Sequence, residues 1–468
     1  GPFNIDYNGS TGKLPYWGIR WYRKTLELSQ DDAGKQIYLD IDGAMSYVSV
    51  WCNGQYVGGW PYGYASFRLD LTPYIKAGQK NVLAIRLDNP DDTSRWYPGS
   101  GIYRNVWLVK TSPVHVEQWG TFVRNQQVDS EIAVMEMGVN IENHAGKDVQ
   151  VKLQTSVYLQ GKDGRPVGEE VTQSMTKDIA IKKDSWSSAR FQFKVDKPKL
   201  WDIDTPNCYV AVSRVFMDGK EMDSYETPFG IRTIEFTHNQ GFMLNGQKVA
   251  IKGVCMHHDL GALGAAFNEV AAERQLRIMK EMGANAIRTS HNMPAPELIK
   301  ACDEMGMMVM AESFDEWKKE KCMNGYHKVF DEWAEKDLVN LLHQYRNHPS
   351  IVMWCIGNEV SEQWGAGELG AKITRFLRDI CHREDPTRPV TMGMDGVDAV
   401  IKNNMAATLD IPGFNYRPHK YQLAYDKLPQ QIILGSETAS TVSSRGVYKF
   451  PVTRQWMKKY DDLQSSSY

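Results

Sequence analysis

Two glutamates stand in matching contexts. Glu359 ends the run Trp354-Cys-Ile-Gly-Asn-Glu359, and Glu437 ends the run Ile433-Leu-Gly-Ser-Glu437. Each follows a short apolar segment that reads as a β-strand, and they are 78 positions apart (437 − 359). A carboxyl at a strand end is ordinarily solvated or salt-bridged. A pair of them brought to one place can cleave a glycosidic bond. With retention of configuration, that chemistry needs the two groups about 5–5.5 Å apart across the scissile bond. It also asks opposite things of them. One must hold a proton near neutral pH, which burial and a negative neighbour favour. The other must stay ionised, which a cation and hydrogen bonds favour. Arg288 and Tyr416 are available for the second task.

The elements that would position them follow from periodicity. From about residue 235, short apolar strands alternate with helical segments. Strands are expected at Lys248–Cys255, Ala286–Ser290, Met307–Glu312, Ile351–Ile356, Val390–Met394, about Ile411–Asn415 and Gln431–Leu434. Helices are expected at Glu269–Met282, Pro296–Met305, Val329–Arg346 and about Glu368–Arg383. This is the rhythm of a (β/α)8 barrel, and functional groups of such barrels sit where strands end and loops begin. The polar residues at those places are His257, His258, Asp259, Arg288, Ser290, His291, Asn292, Glu312, Asp315, Glu316, Asn358, Glu359, Tyr416, Arg417 and Glu437. Seven strands are expected and no eighth, so the barrel is expected to lack its last β/α unit in this chain. An open barrel would expose unpaired edges on its first and seventh strands. The isolated chain is therefore expected to be a poor catalyst.

Upstream the grammar is different. Residues 1–112 alternate as strands, for example Ile37–Ile41 and Tyr47–Trp51, with a hairpin turn at Asn53-Gly54. A jelly-roll β-sandwich is expected. Residues 113–234 again alternate, as in Glu131–Asn140, Val149–Leu153 and Ala189–Val195, which predicts a smaller immunoglobulin-like β-sandwich. Residues 235–468 are expected to form the truncated catalytic barrel. A chain of 468 residues is long enough for three such domains.

Composition narrows the partners. A net charge of −3 gives no basic surface for nucleic acid, and no apolar run reaches the ~18 residues a membrane helix needs. The 14 Trp suit stacking on sugar faces, though β-sandwich and barrel cores use them too. Seven scattered Cys have no paired spacing and read as core residues. A homo-oligomer is compatible with all of this.

Several motifs then carry a resemblance. Trp51-Cys-Asn-Gly-Gln-Tyr-Val-Gly58 with Gly63-Tyr-Ala-Ser-Phe67, and Pro98-Gly-Ser-Gly-Ile-Tyr-Arg104, resemble the sugar-binding domain of glycoside hydrolase family 2. Lys252-Gly-Val-Cys-Met-His-His258, Arg288-Thr-Ser-His291 and Arg346-Asn-His-Pro-Ser-Ile351 through Glu359 resemble that family's barrel signatures. The resemblance runs nearly end to end. It implies a retaining exo-β-glycosidase acting by double displacement through a glycosyl-enzyme intermediate, with Glu359 as acid/base and Glu437 as nucleophile. It implies that Asn358 bonds the sugar 2-hydroxyl, that Tyr416 bonds the nucleophile and that Arg288 holds its charge. It further implies that His257 and His291 contact the sugar. The loop Asp91–Tyr97 would close the pocket through Arg95 and Trp96.

Ser313-Phe-Asp-Glu-Trp317 and Gly413–Pro418 resemble bacterial galactosidase-like members, which points to terminal β-D-galactosides in an oligosaccharide or simple β-glycoside. A β-glucuronidase, or another β-glycosidase of the family, is the alternative. Three departures stand out. Ser440 occupies the place of a histidine that serves the sugar 6-hydroxyl. Lys318 stands where a metal-binding histidine would follow Glu316, so no metal or other cofactor is expected. The eighth strand, with its aromatic pocket floor, is missing. An inactive or carbohydrate-binding fragment is the reading from another class, although a binder has no need of both glutamates. A structural adhesin with a decayed barrel fits still less well with intact Asn358, Glu359, His291 and Glu437. The resemblance implies a periplasmic or secreted location, with a cytoplasmic one as the alternative.

Overall fold

The computed structural model describes residues 17–96, 99–365 and 367–439. The expected Pro98 motif lies partly outside these residues, as does Tyr97. Ser440 and the stretch to 468, where an eighth strand would be sought, lie wholly outside them.

The first domain is a sandwich of two antiparallel sheets. One orders strands Gly18–Glu27, Lys80–Asn89, Val48–Cys52 and Gln55–Trp60; the other orders Phe67–Asp70, Gln36–Ile41 and Val106–Thr111. Alternation drives it: Ile37, Leu39, Ile41, Val48, Val50, Leu83, Ile85 and Leu87 point inward and form one core. The Asn53-Gly54 turn is present, with φ of 51° and 83°. The second domain pairs Val114–Val128, Ile132–Asn143 and Ser185–Asp196 against a sheet built on Val149–Gln160, Tyr209–Met217 and Lys220–Phe229.

The third domain is the barrel. Its strands are β1 (Gly253–Met256), β2 (Ala286–Thr289), β3 (Met308–Glu312), β4 (Ile351–Asn358), β5 (Val390–Met394), β6 (Gly413–Asn415) and β7 (Leu434–Glu437). All are parallel and neighbours in chain order. Helices α1 (Glu269–Glu281), α2 (Pro296–Met305), α3 (Phe330–Tyr345) and α4 (Leu369–Glu384) follow β1 to β4. The Cys255 thiol reaches the Ser436 carbonyl at 3.5 Å, so β1 and β7 approach each other. None of the seven Cys is in a disulfide, and all but Cys255 are buried.

Two strands depart furthest from their expected limits. The apolar run Lys248–Cys255 is split, because Gln247–Lys248 pairs back onto Gly241–Leu244 in a hairpin turning at Asn245-Gly246. That hairpin packs Phe242 and Leu244 against Ala286, Met308 and Val352, at the starts of β2, β3 and β4, and so plugs the N-terminal end of the barrel. The seventh strand begins at Leu434 and runs through Glu437, three residues later than expected. Its polar residues stay in the sheet because they have partners: the Ser436 hydroxyl donates to Asn415 Oδ1 at 2.7 Å.

The sandwiches are bolted to the barrel by buried polar contacts. Trp60 Nε1 donates to Asp337 Oδ1 (2.6 Å), and Tyr62 Oη to the Ser313 carbonyl (2.8 Å). Arg104 donates to the carbonyls of Met293 and Pro294. The motif Arg346-Asn-His-Pro is a joint to the second domain: Asn347 Oδ1 accepts from Val123 N at 2.8 Å, and its amide donates to Thr121 O at 3.0 Å.

Candidate active site

Arg288 is the hub. It stands one residue before the end of β2, buried, and extends its guanidinium to two carboxylates and an amide. Nε donates to Glu312 Oε2 (2.6 Å), Nη1 to Glu437 Oε1 (2.7 Å) and Nη2 to Asn358 Oδ1 (2.9 Å). Three strand ends, β3, β7 and β4, are thereby tied to a fourth. Such charge-assisted bonds in a low-dielectric interior are strong and geometrically exacting. Gly393 on β5 makes room for them. A Cβ there would fall 2.6 Å from Arg288 Nη2 and 2.9 Å from the Asn358 and Asn415 side-chain oxygens.

The two glutamates meet at adjacent residues of one strand end. Asn415 Nδ2 donates to Glu359 Oε1 at 2.9 Å, and the next residue, Tyr416, donates its hydroxyl to Glu437 Oε2. Glu359 and Tyr416 both hold positive φ, 41° and 53°. Such backbone costs about 1–3 kcal/mol per residue and persists where its surroundings enforce it. Here Glu359 N is pinned to Gly393 O and Tyr416 N to Glu437 O, each at 2.7 Å.

Electrostatics separate the pair. Burial raises the pKa of Glu359; the Asn415 hydrogen bond opposes this, and the neighbouring charge of Glu437 adds to the rise. Glu437 instead sits in contact with Arg288 and Tyr416. One carboxyl is thus biased to hold its proton while the other is surrounded by donors. Removing the Glu437 charge by Glu437→Gln lowers the pKa of Glu359 in a ¹³C NMR titration of side-chain carboxyls; an unchanged or higher value contradicts the coupling. Any step needing Glu359 protonated is lost as pH rises through its pKa.

The histidines complete one wall. His291 places Nδ1 3.0 Å from Glu312 Oε1 and Nε2 3.4 Å from Glu437 Oε1. Burial, then Arg288, push its pKa down to about 3, so the ring is neutral and carries one N–H. Burial pushes Glu312 up to about 7 against the pull of Arg288. His257, held at about 4 by burial and by His291, stands edge-on to His291 at 5.4 Å between ring centres. Trp96 comes over both, 4.9 Å from His257 and 6.0 Å from His291.

All nine residues expected in the site therefore lie at one mouth, the C-terminal end of the strands. Asn358 accepts from Arg288 and Asn415 and donates one amide N–H to Asp315. Arg95 reaches the mouth, but its Nε and Nη2 are engaged by Asp315 at 2.8 and 2.7 Å. His258 turns away and packs between Tyr64 and Tyr103. Glu316 does not fit a metal ligand. Its oxygens accept from the backbone N–H of Lys321, Cys322 and His327 and contact the His327 ring, while Lys318 pairs with Asp331. Asn415 and Lys321 went unrecognised in the sequence. Asn415 carried a signal, as a polar residue closing the expected sixth strand, whereas Lys321 lies in a loop without periodicity.

This fold and rim agree with the comparisons. The chain belongs to glycosyl hydrolases family 2: the family's sugar binding domain matches residues 11–112, its central domain 114–232 and its TIM barrel domain 234–467. It is 42% identical to the β-galactosidase BoGH2A of Bacteroides ovatus, over 98% of this chain and 57% of that protein. It is 33% identical to a putative β-glucuronidase of Formosa agariphila, over 98% of this chain and 41% of that protein. A family 2 member from Bacteroides cellulosilyticus superimposes with a TM-score of 0.86 at 35% identity, covering 91% of this chain and 54% of that one. A β-glycosidase from Bacteroides vulgatus does so at 0.83 and 36%, covering 97% and 56%. The chain thus spans about half the length of these relatives.

Proposed function

We propose that the protein containing this chain is a retaining exo-β-glycosidase that releases terminal β-D-galactosides from an oligosaccharide or simple glycoside. Glu359 protonates the departing oxygen while Glu437 attacks the anomeric carbon, forming a glycosyl-enzyme. Water, deprotonated by Glu359, then releases the sugar with net retention. The observation that carries this reading is the convergence of the two carboxyls on Asn415 and Tyr416, with burial favouring the proton on one and Arg288 facing the other. His257, His291 and Trp96 form the wall for the sugar, and the loop bearing Arg95 and Trp96 closes one side, as action on chain ends requires.

The galactoside preference is supported by the 42% identity to the Bacteroides ovatus β-galactosidase. The Formosa relative favours a glucuronide as the second reading. A panel of aryl β-galactoside, glucuronide, glucoside and mannoside on the full-length protein decides between them. The galactoside is expected to be cleaved with the highest kcat/KM. A faster glucuronide establishes the second reading, and inertness toward all four contradicts both. A periplasmic or exported location belongs to the same proposal, since oligosaccharides are met outside the cytoplasm. Cell fractionation tests it, and activity confined to the cytosol contradicts it.

A further inference from the structure

The partners of Glu437, namely Arg288, His291 and Tyr416, all belong to the barrel. The acid half of the site is built differently. Asp315, in the loop after β3, is gripped from the first domain by both prongs of Arg95, at 2.7 and 2.8 Å. On its Oδ1 it also receives Lys321 Nζ at 3.0 Å and Asn358 Nδ2 at 3.1 Å. The same Lys321 Nζ donates to the Asn358 carbonyl at 2.6 Å. That carbonyl belongs to the peptide bond leading into Glu359. Asn358 is thus held at side chain and backbone alike, immediately before the left-handed turn that aims Glu359. The Arg95 loop is itself fastened to the barrel: Met323 N donates to Asp92 Oδ2, and Asn324 N to Asp92 O.

We propose that Asp315 is a positioning residue for the acid/base, and that the jelly-roll domain, through Arg95, supplies half of the clamp that aims Glu359. The inference rests on the glycosidase reading above. It gives Arg95 a task distinct from touching the sugar: it fixes a carboxylate whose other donors are the Asn358 amide and the Lys321 ammonium that also holds the Asn358 carbonyl. Removing Asp315 would leave Arg95 and Lys321 as two adjacent cations and release the N–H of the Asn358 amide that it held, so the residue before the turn at Glu359 would lose one of its anchors while the nucleophile's ties stay in place.

The test compares leaving groups in the full-length enzyme carrying Asp315→Asn or Arg95→Ala. A methyl or other alkyl β-galactoside needs a proton from Glu359 to depart, whereas a dinitrophenyl β-galactoside does not. For Asp315→Asn, kcat/KM on the alkyl glycoside is expected to fall about 100-fold, and on the dinitrophenyl glycoside less than about 5-fold. Arg95→Ala should show the same asymmetry at smaller size, and because Arg95 is partly exposed it provides the reading if Asp315→Asn does not fold. Equal losses on both substrates, or no loss on either, overturn the clamp while leaving the glycosidase reading intact. A wild-type enzyme inert on both leaving groups with each of the four sugars of the panel overturns the two together.

Discussion

Glu437→Gln lowers turnover of an aryl β-galactoside by at least about 10⁴-fold, the order seen when a covalent nucleophile is removed. The amide has nearly the shape of the carboxylate; its oxygen can still accept from Arg288 while its NH2 donates to the Tyr416 hydroxyl, so the pocket stays assembled. It cannot form the glycosyl ester. Stability should change little, because Arg288 keeps Glu312 as a counter-charge at 2.6 Å. The variant should therefore unfold near the wild-type temperature while being catalytically dead. Wild-type turnover by a homogeneous Glu437→Gln preparation would place the nucleophile elsewhere.

Arg288→Met has the opposite signature: it damages stability as well as rate. The guanidinium is buried, and its loss leaves Glu312 and Glu437 close together without their cation. Breaking a buried ion pair by removing one partner costs about 3–5 kcal/mol. At roughly 2–4 °C per kcal/mol for a unit of this size, the melting temperature should fall by about 10 °C. Asn358 also loses a donor, so both halves of the site loosen. Adding Glu312→Gln should restore part of the lost stability, since the neutral side chain no longer needs a cation; a coupling of about 1–3 kcal/mol is expected between the two changes. Calorimetry of the single and double variants measures this. A loss below ~1 kcal/mol for Arg288→Met would mean that the three strand ends are not held by this residue.

How much of this was legible beforehand depended on what each residue does. Alternation along Ile37–Ile41, Glu131–Asn140 and Ala189–Val195 reports burial on one face, and the structure uses those segments as strands of the two sandwiches. The rule that chemistry sits at the ends of parallel strands led to Arg288, His291, Asn358, Glu359, Tyr416 and Glu437, because apolar runs mark strand ends well. It was less sure of the last residues of β4 and β7. Asn358 and Glu437 lie inside their strands, since the neighbouring strand ends are polar too and pair with them. Partner identity was harder to see. That Arg95 grips Asp315, 220 positions away, and that Lys321 supports Asn358, are consequences of how one domain's loop docks on another. No local pattern encodes such docking. Glu316 shows the converse: its position after the third strand matches a metal-binding glutamate of the family, with Lys318 in the histidine's place, and a loop folds its N–H groups onto that carboxylate.

The central claim is that Glu437 takes the sugar covalently. A 2-deoxy-2-fluoro-β-galactosyl fluoride slows release of the intermediate by destabilising the second transition state, so the enzyme should accumulate in the glycosylated form. Peptide mapping by mass spectrometry should then find one fluorosugar per chain, on the fragment containing Glu437. Label on another carboxylate, or undiminished turnover with no label, would contradict the account.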